Sequence, residues 1–184
     1  LILILSPFHY YFSVYYSEAL FLCLLIGAFY SIDEKKMGLF SLMASLLVLV
    51  RPNGLFMLLP LFLFFIERNQ SLSYFKAIKL NFRNFLSMLY FLIPVVVFTM
   101  YCVYLKIMTG DFFAYKTAQA GWCRETVLPW TPLIRSSNWM DYFNSGYFLF
   151  FSFIALYNLR KIPLSFSALI WINLFLPLIA NSIT

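Results

Sequence analysis

The sequence predicts an all-α integral membrane protein with about six transmembrane or half-spanning helices. Of its 184 residues, 63% are hydrophobic and only 11% carry a charge. Soluble domains have about 25% charged residues, so this chain has too few charges to cover a water-facing surface. The net charge is +6, but the basic residues lie in short connections between apolar runs. That pattern is typical of membrane proteins and argues against a nucleic-acid partner.

Six apolar segments define the predicted helices. A spanning helix needs about 20 mostly apolar residues to cross a hydrocarbon core of about 30 Å. The segments are 12–32, 38–50, 54–66, 86–107, 142–159 and 163–180. We expect one transmembrane domain over residues 1–184, incomplete at both ends, because the chain starts within one apolar run and stops just after another.

Residues 38–66 are predicted to form two short helices rather than one long helix. Proline removes a backbone donor and glycine weakens a helix, so Pro52 and Gly54 favour a break. Each arm of the resulting hairpin is too short to span the bilayer. The tip, residues 51–54, is therefore expected to lie recessed in a cavity, where irregular backbone is tolerated against protein or water.

The basic connections predict which side of the membrane each loop faces. Lysine and arginine are concentrated at 33–36, 67–84 and 160–161, and cytoplasmic loops are enriched in these residues. The other connections then face the extracytoplasmic or lumenal side; they are 6–18, 51–54 and the long loop 108–139.

Glu18 is the first candidate site residue, and two interpretations of it stay open. It follows Ser17 at the start of an apolar helix. Ser17 can be an N-cap there, with Glu18 favoured by the helix dipole. Alternatively, Glu18 is a carboxylate on a cavity wall that binds substrate hydroxyls or pairs with Arg51. The spacing alone does not separate them.

Arg51 is the second candidate, at the recessed hairpin tip with Asn53. A guanidinium can bind a phosphate through two parallel hydrogen bonds, and a lipid phosphate presents its head group at about this depth. The alternative is an arginine that extends to the membrane interface. The outer loop holds further polar and aromatic residues, for which an ordinary solvated loop is the simpler interpretation; they include Asp111, Lys116, Gln119, Trp122 and Arg124.

The sequence predicts no metal site and no cofactor. Three cysteines show no CxxC spacing, and His9 is the single histidine, whereas a metal site normally needs three or four donors. No glycine-rich phosphate loop and no Ser/His/Asp set is present, so the residues themselves indicate no catalytic mechanism.

Two segments together resemble the PIG-V family, the GPI mannosyltransferase 2 enzymes and their prokaryotic relatives. The first is Tyr16-Ser17-Glu18-Ala19-Leu20-Phe21, preceded by Ser6-Pro7, and the second is Val50-Arg51-Pro52-Asn53-Gly54-Leu55. Thr109-Gly110-Asp111, with Gln119 and Trp122, is similar to a loop of that family.

The resemblance implies a multi-spanning GT-C fold and transfer of a hexose, typically mannose, from a polyprenyl-phosphate donor to a lipid-linked or glycan acceptor. Such enzymes act on the extracytoplasmic or lumenal side, in a bacterial or archaeal plasma membrane or in the endoplasmic reticulum. Their proposed base would precede Leu1, so no catalytic residue is expected within the chain. The expected substrate-binding residues are Glu18, Arg51, Asn53, Gln119 and Trp122.

Two other functions fit parts of the pattern. A transporter or lipid flippase without covalent chemistry would use Glu18 and Arg51 as a gating pair, and it predicts pseudo-symmetric halves with interrupted helices. A structural subunit of a membrane complex would not need the two short polar segments 16–21 and 51–55.

Overall fold

The computed structural model describes residues 17–69, 82–120, 124–126 and 139–182, most of which are helical. The helices are α1 (Ser17–Asp33), α2 (Met37–Val50), α3 (Gly54–Asn69), α4 (Phe82–Leu89), α5 (Leu92–Thr109), α6 (Ala114–Ala120), α7 (Trp139–Asn158) and α8 (Leu164–Ile179). Two strands, β1 (Arg124–Thr126) and β2 (Ala180–Ser182), pair antiparallel. The helical fold class is confirmed. The strand pair was not predicted, because three residues are too few to show an alternating pattern.

The chain divides into two compact units, residues 1–100 and 101–184. In the first unit α1, α2 and α3 pack against one another. The predicted break within 38–66 is confirmed, since α2 ends at Val50 and α3 begins at Gly54. Residues 12–16 of the first predicted helix lie outside the described residues.

Small side chains and aromatic rings fill the interior of the first unit. Ala28 in α1 and Ala44 in α2 are fully buried, and small residues let two helices approach closely. Phe91, between α4 and α5, lies with its ring centroid 4.4 Å from that of Phe40 and 5.3 Å from that of Phe62. This ring joins the turn before α5 to the α2–α3 hairpin.

The end of this unit opposite the 51–54 corner is held by a helix cap and an ion pair. At the end of α1, Lys36 N donates to Ser31 O at 2.9 Å and Lys35 N donates to Ile32 O at 3.1 Å. With Lys35 at φ 58°, this is a Schellman cap. Arg68 Nε lies 2.8 Å from Asp33 Oδ1. The ends of α1 and α3 are therefore together, as a three-helix up-down-up arrangement requires.

In the second unit α7 and α8 pack against each other, and they correspond to the predicted segments 142–159 and 163–180. The rings of Phe148 and Phe175 are 5.9 Å apart, and Trp171 stacks on Phe175 at 5.6 Å. The chain continues from α8 directly into β2, whose residues Ala180–Ser182 pair with Arg124–Thr126.

One stretch among the described residues, Leu86–Thr109, is long and apolar enough to cross a membrane. Much of its apolar surface faces outward: Met100 is 67% exposed and Ile107 is 76% exposed. Three shorter apolar helices fall below the length of a full span: Met37–Val50, Ser145–Asn158 and Leu164–Leu176.

Candidate functional site

The chain reverses direction between α2 and α3 in a corner of three residues, 51–53. Arg51 leaves the helix with extended backbone, at φ −149° and ψ 133°, and its N–H still donates to Leu47 O at 3.3 Å. Gly54 N then donates to Arg51 O at 2.8 Å. The backbone of Arg51 is thus fixed on both sides, which sets the direction of its side chain.

Gly54 makes this corner possible. A Cβ at this position would lie 2.6 Å from Leu47 O and 2.9 Å from Val48 Cα, and real Cβ atoms do not come so close to backbone atoms. The first turn of α3 therefore lies directly against the last turn of α2. The sequence indicated a turn here, but it did not show that glycine is required by a close approach of two backbones.

The corner brings Arg51 against the start of α1. Arg51 Nε donates to Ser17 Oγ at 2.8 Å, and Arg51 Nη2 forms a charge-assisted hydrogen bond and ion pair with Glu18 Oε1. Two segments separated by more than thirty residues thus form one cluster, which we call the Arg51 corner (Ser17, Glu18 and Arg51). The Ser17 hydroxyl, which the sequence suggested as an N-cap, accepts a hydrogen bond from the guanidinium.

Both charged side chains are half-buried, with 37% of Arg51 and 27% of Glu18 exposed. Within the described residues Arg51 bonds through Nε and Nη2, and its Nη1 carries two further N–H donors. Glu18 Oε2 is itself buried, although its side chain is partly exposed, and it has no hydrogen-bond partner in the described part of the chain. Within the described part of the chain, the corner therefore has the Nη1 donors of Arg51 beside a Glu18 oxygen that lacks a partner.

Among the described residues, no side-chain contact joins Asn53, another predicted substrate residue, to the Arg51 corner. Asn53 lies in the turn with an exposed side chain, and its backbone oxygen accepts from Phe56 N at 3.1 Å. Gln119 lies in α6, in the second unit. Trp122 and His9 fall outside the described residues. The assignments of Asn53, Gln119 and Trp122 to substrate stay predictions.

Asp111 has a structural role at the start of α6. Its Oδ1 accepts from Phe113 N at 2.9 Å and its Oδ2 accepts from Thr117 Oγ1 at 2.6 Å. The hydroxyl of Thr117 and the amide of Phe113 hold the pKa of the exposed Asp111 carboxyl below its ordinary value of 3.8. Both oxygens are engaged locally, as expected of an ordinary solvated loop.

We expect Asp111→Asn to loosen α6. Because the folded-state pKa is lowered, the carboxylate stabilises the helix above pH 3.8, and this contribution is lost as the pH falls through the folded-state value. Hydrogen exchange of the 112–120 amides, corrected for intrinsic rates, should be faster in the variant at pH 7. The difference should disappear in acid below the folded-state pKa. Equal exchange at neutral pH would contradict the capping role.

Cys23 and Cys102 are both free thiols, the first exposed and the second buried. Among the residues the structure describes, no three of His, Cys, Asp and Glu are grouped so that they could hold a metal ion.

No protein-family model, curated protein or solved structure matches the chain. The interpretation of the site therefore depends on its geometry and on the sequence pattern.

Proposed function

We propose that this chain carries the donor-phosphate site of a multi-pass membrane glycosyltransferase. The enzyme would transfer a hexose, mannose by resemblance to the PIG-V family, from a polyprenyl-phosphate donor to a lipid-linked or glycan acceptor on the extracytoplasmic or lumenal side. The observation that carries the proposal is the guanidinium of Arg51, which Ser17 and Glu18 hold at a helix corner through Nε and Nη2.

A membrane setting is supported by the composition and by the apolar surface. The stretch Leu86–Thr109 is long enough to cross a bilayer, and exposed apolar side chains are numerous on α5 and α7; they include Met100, Ile107, Phe153 and Tyr157. Exposed large apolar side chains in such numbers are uncommon on soluble monomers. Lipid contact would cover it, and the shorter helices would complete a bundle.

The positions of the charges support the proposed orientation. In the first unit, Glu18 and Arg51 lie at one end, and Asp33 and Arg68 lie at the other. The end with Arg68 also carries the Lys35-Lys36 connection, which the enrichment of basic residues in cytoplasmic loops assigns to the inner side. The Arg51 corner then faces outward, where a polyprenyl-phosphate sugar would be used.

The transfer step makes plain what Arg51 would supply. An acceptor hydroxyl oxygen bonds to the anomeric carbon while the bond from that carbon to the phosphate oxygen breaks. The phosphate leaves with the electron pair, so a phosphodiester with one negative charge becomes a monoester with about two. The acceptor proton passes to a carboxylate base, which is not assigned within the described residues. A fixed guanidinium beside the leaving phosphate stabilises the charge that develops.

A membrane transporter of lipid phosphates is the second candidate, because Glu18 and Arg51 do pair as a gate would require. The two functions differ in the fate of the phosphate–sugar bond. An ion-pair gate would move the donor intact, whereas a transferase would break that bond.

The test uses the full-length protein in liposomes with a polyprenyl-phosphate mannose labelled with ³²P. Host membrane lipids supply the acceptors, and a nucleotide sugar is the matched control donor. We expect labelled polyprenyl phosphate to appear from the lipid donor, with no turnover of the nucleotide sugar. Movement of intact donor across the bilayer without bond cleavage would support the transporter. Neither cleavage nor movement would overturn the proposed function.

A further inference from the structure

The Arg51 corner contains a buried acceptor that the phosphate role leaves unexplained. Glu18 Oε1 is bonded to Arg51, while Glu18 Oε2 is buried and has no partner among the described residues. A carboxylate accepts hydrogen bonds and cannot donate when ionised. Buried polar atoms are nearly always satisfied, and leaving one unsatisfied is costly, most of all when it is charged.

Two comparisons within the chain single out this atom. Ser45 Oγ and Ser152 Oγ are also buried without a described partner, but a serine hydroxyl in a helix can turn to donate to a preceding carbonyl. The other described ion pair between helices, Asp33–Arg68, has side chains 46% and 56% exposed, so water can reach its unused atoms. Glu18 Oε2 has no hydrogen to donate to a carbonyl, and it is not exposed to bulk water.

We infer that Glu18 Oε2 accepts a hydrogen bond from the sugar of the donor, from the hydroxyl on the carbon next to the anomeric carbon. This inference rests on the proposed function and extends it from a phosphate site to a sugar-phosphate subsite. Glu18 and Arg51 are joined by one hydrogen bond, so one small ligand that displaces the atoms covering Oε2 could bond both this oxygen and the Nη1 of Arg51. A hexosyl phosphate has two suitable groups at neighbouring positions. Its phosphate oxygens can accept hydrogen bonds from Arg51, and its hydroxyl can donate one to Glu18.

The subsite explains why a carboxylate should accompany a phosphate-binding arginine. Glu18 partly neutralises Arg51, which weakens attraction for a bare phosphate. A sugar hydroxyl offsets this loss because it satisfies the buried oxygen with a charge-assisted hydrogen bond. The corner would therefore prefer the glycosylated donor to the polyprenyl phosphate that remains after transfer, and Glu18 would be a specificity-determining residue.

Binding to the full-length protein in nanodiscs tests the inference, with three probes: polyprenyl-phosphate mannose, its 2-deoxy analogue and polyprenyl phosphate. The wild type should bind the mannosyl donor about tenfold or more tighter than the other two, as expected for a hydrogen bond to a charged group. Glu18→Gln replaces the acceptor oxygen by an amide donor and removes the charge that weakens Arg51, so the preference for the mannosyl donor should disappear while affinity for polyprenyl phosphate rises. Asp33→Asn is the matched control and should change nothing.

The outcomes separate this inference from the proposed function. If Arg51→Ala leaves polyprenyl-phosphate binding unchanged, the phosphate site itself is wrong. If Arg51→Ala weakens that binding but Glu18→Gln weakens all three probes equally, Glu18 only holds Arg51 and the inference fails. Should Glu18→Gln not fold, the wild type alone decides, because equal affinity for the mannosyl and 2-deoxy donors would overturn the inference.

Discussion

Replacing Arg51 with alanine should lower the release of polyprenyl phosphate from the mannosyl donor about 100-fold or more. The reason is the loss of a positioned donor at the site where negative charge develops, a loss that typically costs about 10²–10³ in rate. The transfer rate of Arg51→Lys should lie between those of the wild type and Arg51→Ala, about tenfold below the wild type. An ammonium keeps the charge but not the planar fork that matches phosphate. Initial rates at saturating donor in liposomes are the measurement.

Arg68→Ala is the matched control for this comparison. Arg68 also pairs with a carboxylate of α1, Asp33, but at the opposite end of the same three helices. Arg68→Ala should lower the free energy of unfolding by as much as Arg51→Ala or by less, because ion pairs this exposed contribute about 1 kcal/mol or less. Its effect on the transfer rate should be within about twofold of wild type, below 1 kcal/mol of activation free energy. Equal losses in the two alanine variants would contradict a phosphate role for Arg51.

Replacing Gly54 with alanine should destabilise the protein by about 3 kcal/mol, at the upper end of the usual range for overpacking. The new Cβ would lie 2.6 Å from Leu47 O and 2.8 Å from Leu47 C. These are backbone atoms of a packed helix, so rotation of a side chain cannot remove the clash. The helices α2 and α3 must separate. Separation would also displace Arg51, and the transfer rate should fall with stability. Denaturant unfolding in detergent micelles measures the change.

Gly38→Ala is the control for this prediction. Gly38 lies in the first turn of α2, and a Cβ there would have no atom within 4 Å. The substitution should leave stability unchanged or raise it by about 0.5–1 kcal/mol, because alanine is the better helix former. If the alanine variants at positions 54 and 38 unfold alike, the close approach at the corner is not what holds Arg51.

Sequence patterns were sufficient to predict α1, α2, α3 and α5, but not the separate short helix α4. Apolar runs fixed α1 and α5, and Pro52 with Gly54 fixed the break between α2 and α3, because both effects are local properties of the chain. The grouping of Arg51 with Ser17 and Glu18 depends on how α1 packs against α2, which no local pattern contains. The sequence left that pairing open as one of several interpretations of Glu18.

Two features of the corner were not accessible from the sequence. The unused oxygen of Glu18 depends on which carboxylate oxygen Arg51 takes and on burial of the other. The contact of Ser17 with Arg51 was not predicted, because a serine before an acidic residue at a helix start is typical of an N-cap.

The central claim is that the Arg51 guanidinium contacts the phosphate of the donor lipid. Solid-state NMR can measure it directly, through ³¹P–¹⁵N dipolar dephasing between polyprenyl phosphate and ¹⁵N-arginine in the full-length protein in lipid. A direct hydrogen bond of about 2.8 Å between nitrogen and phosphate oxygen predicts strong dephasing of one guanidinium. That signal should be absent in Arg51→Lys and retained in Arg68→Lys. Dephasing that persists in Arg51→Lys, or none in the wild type with lipid bound, would contradict the account.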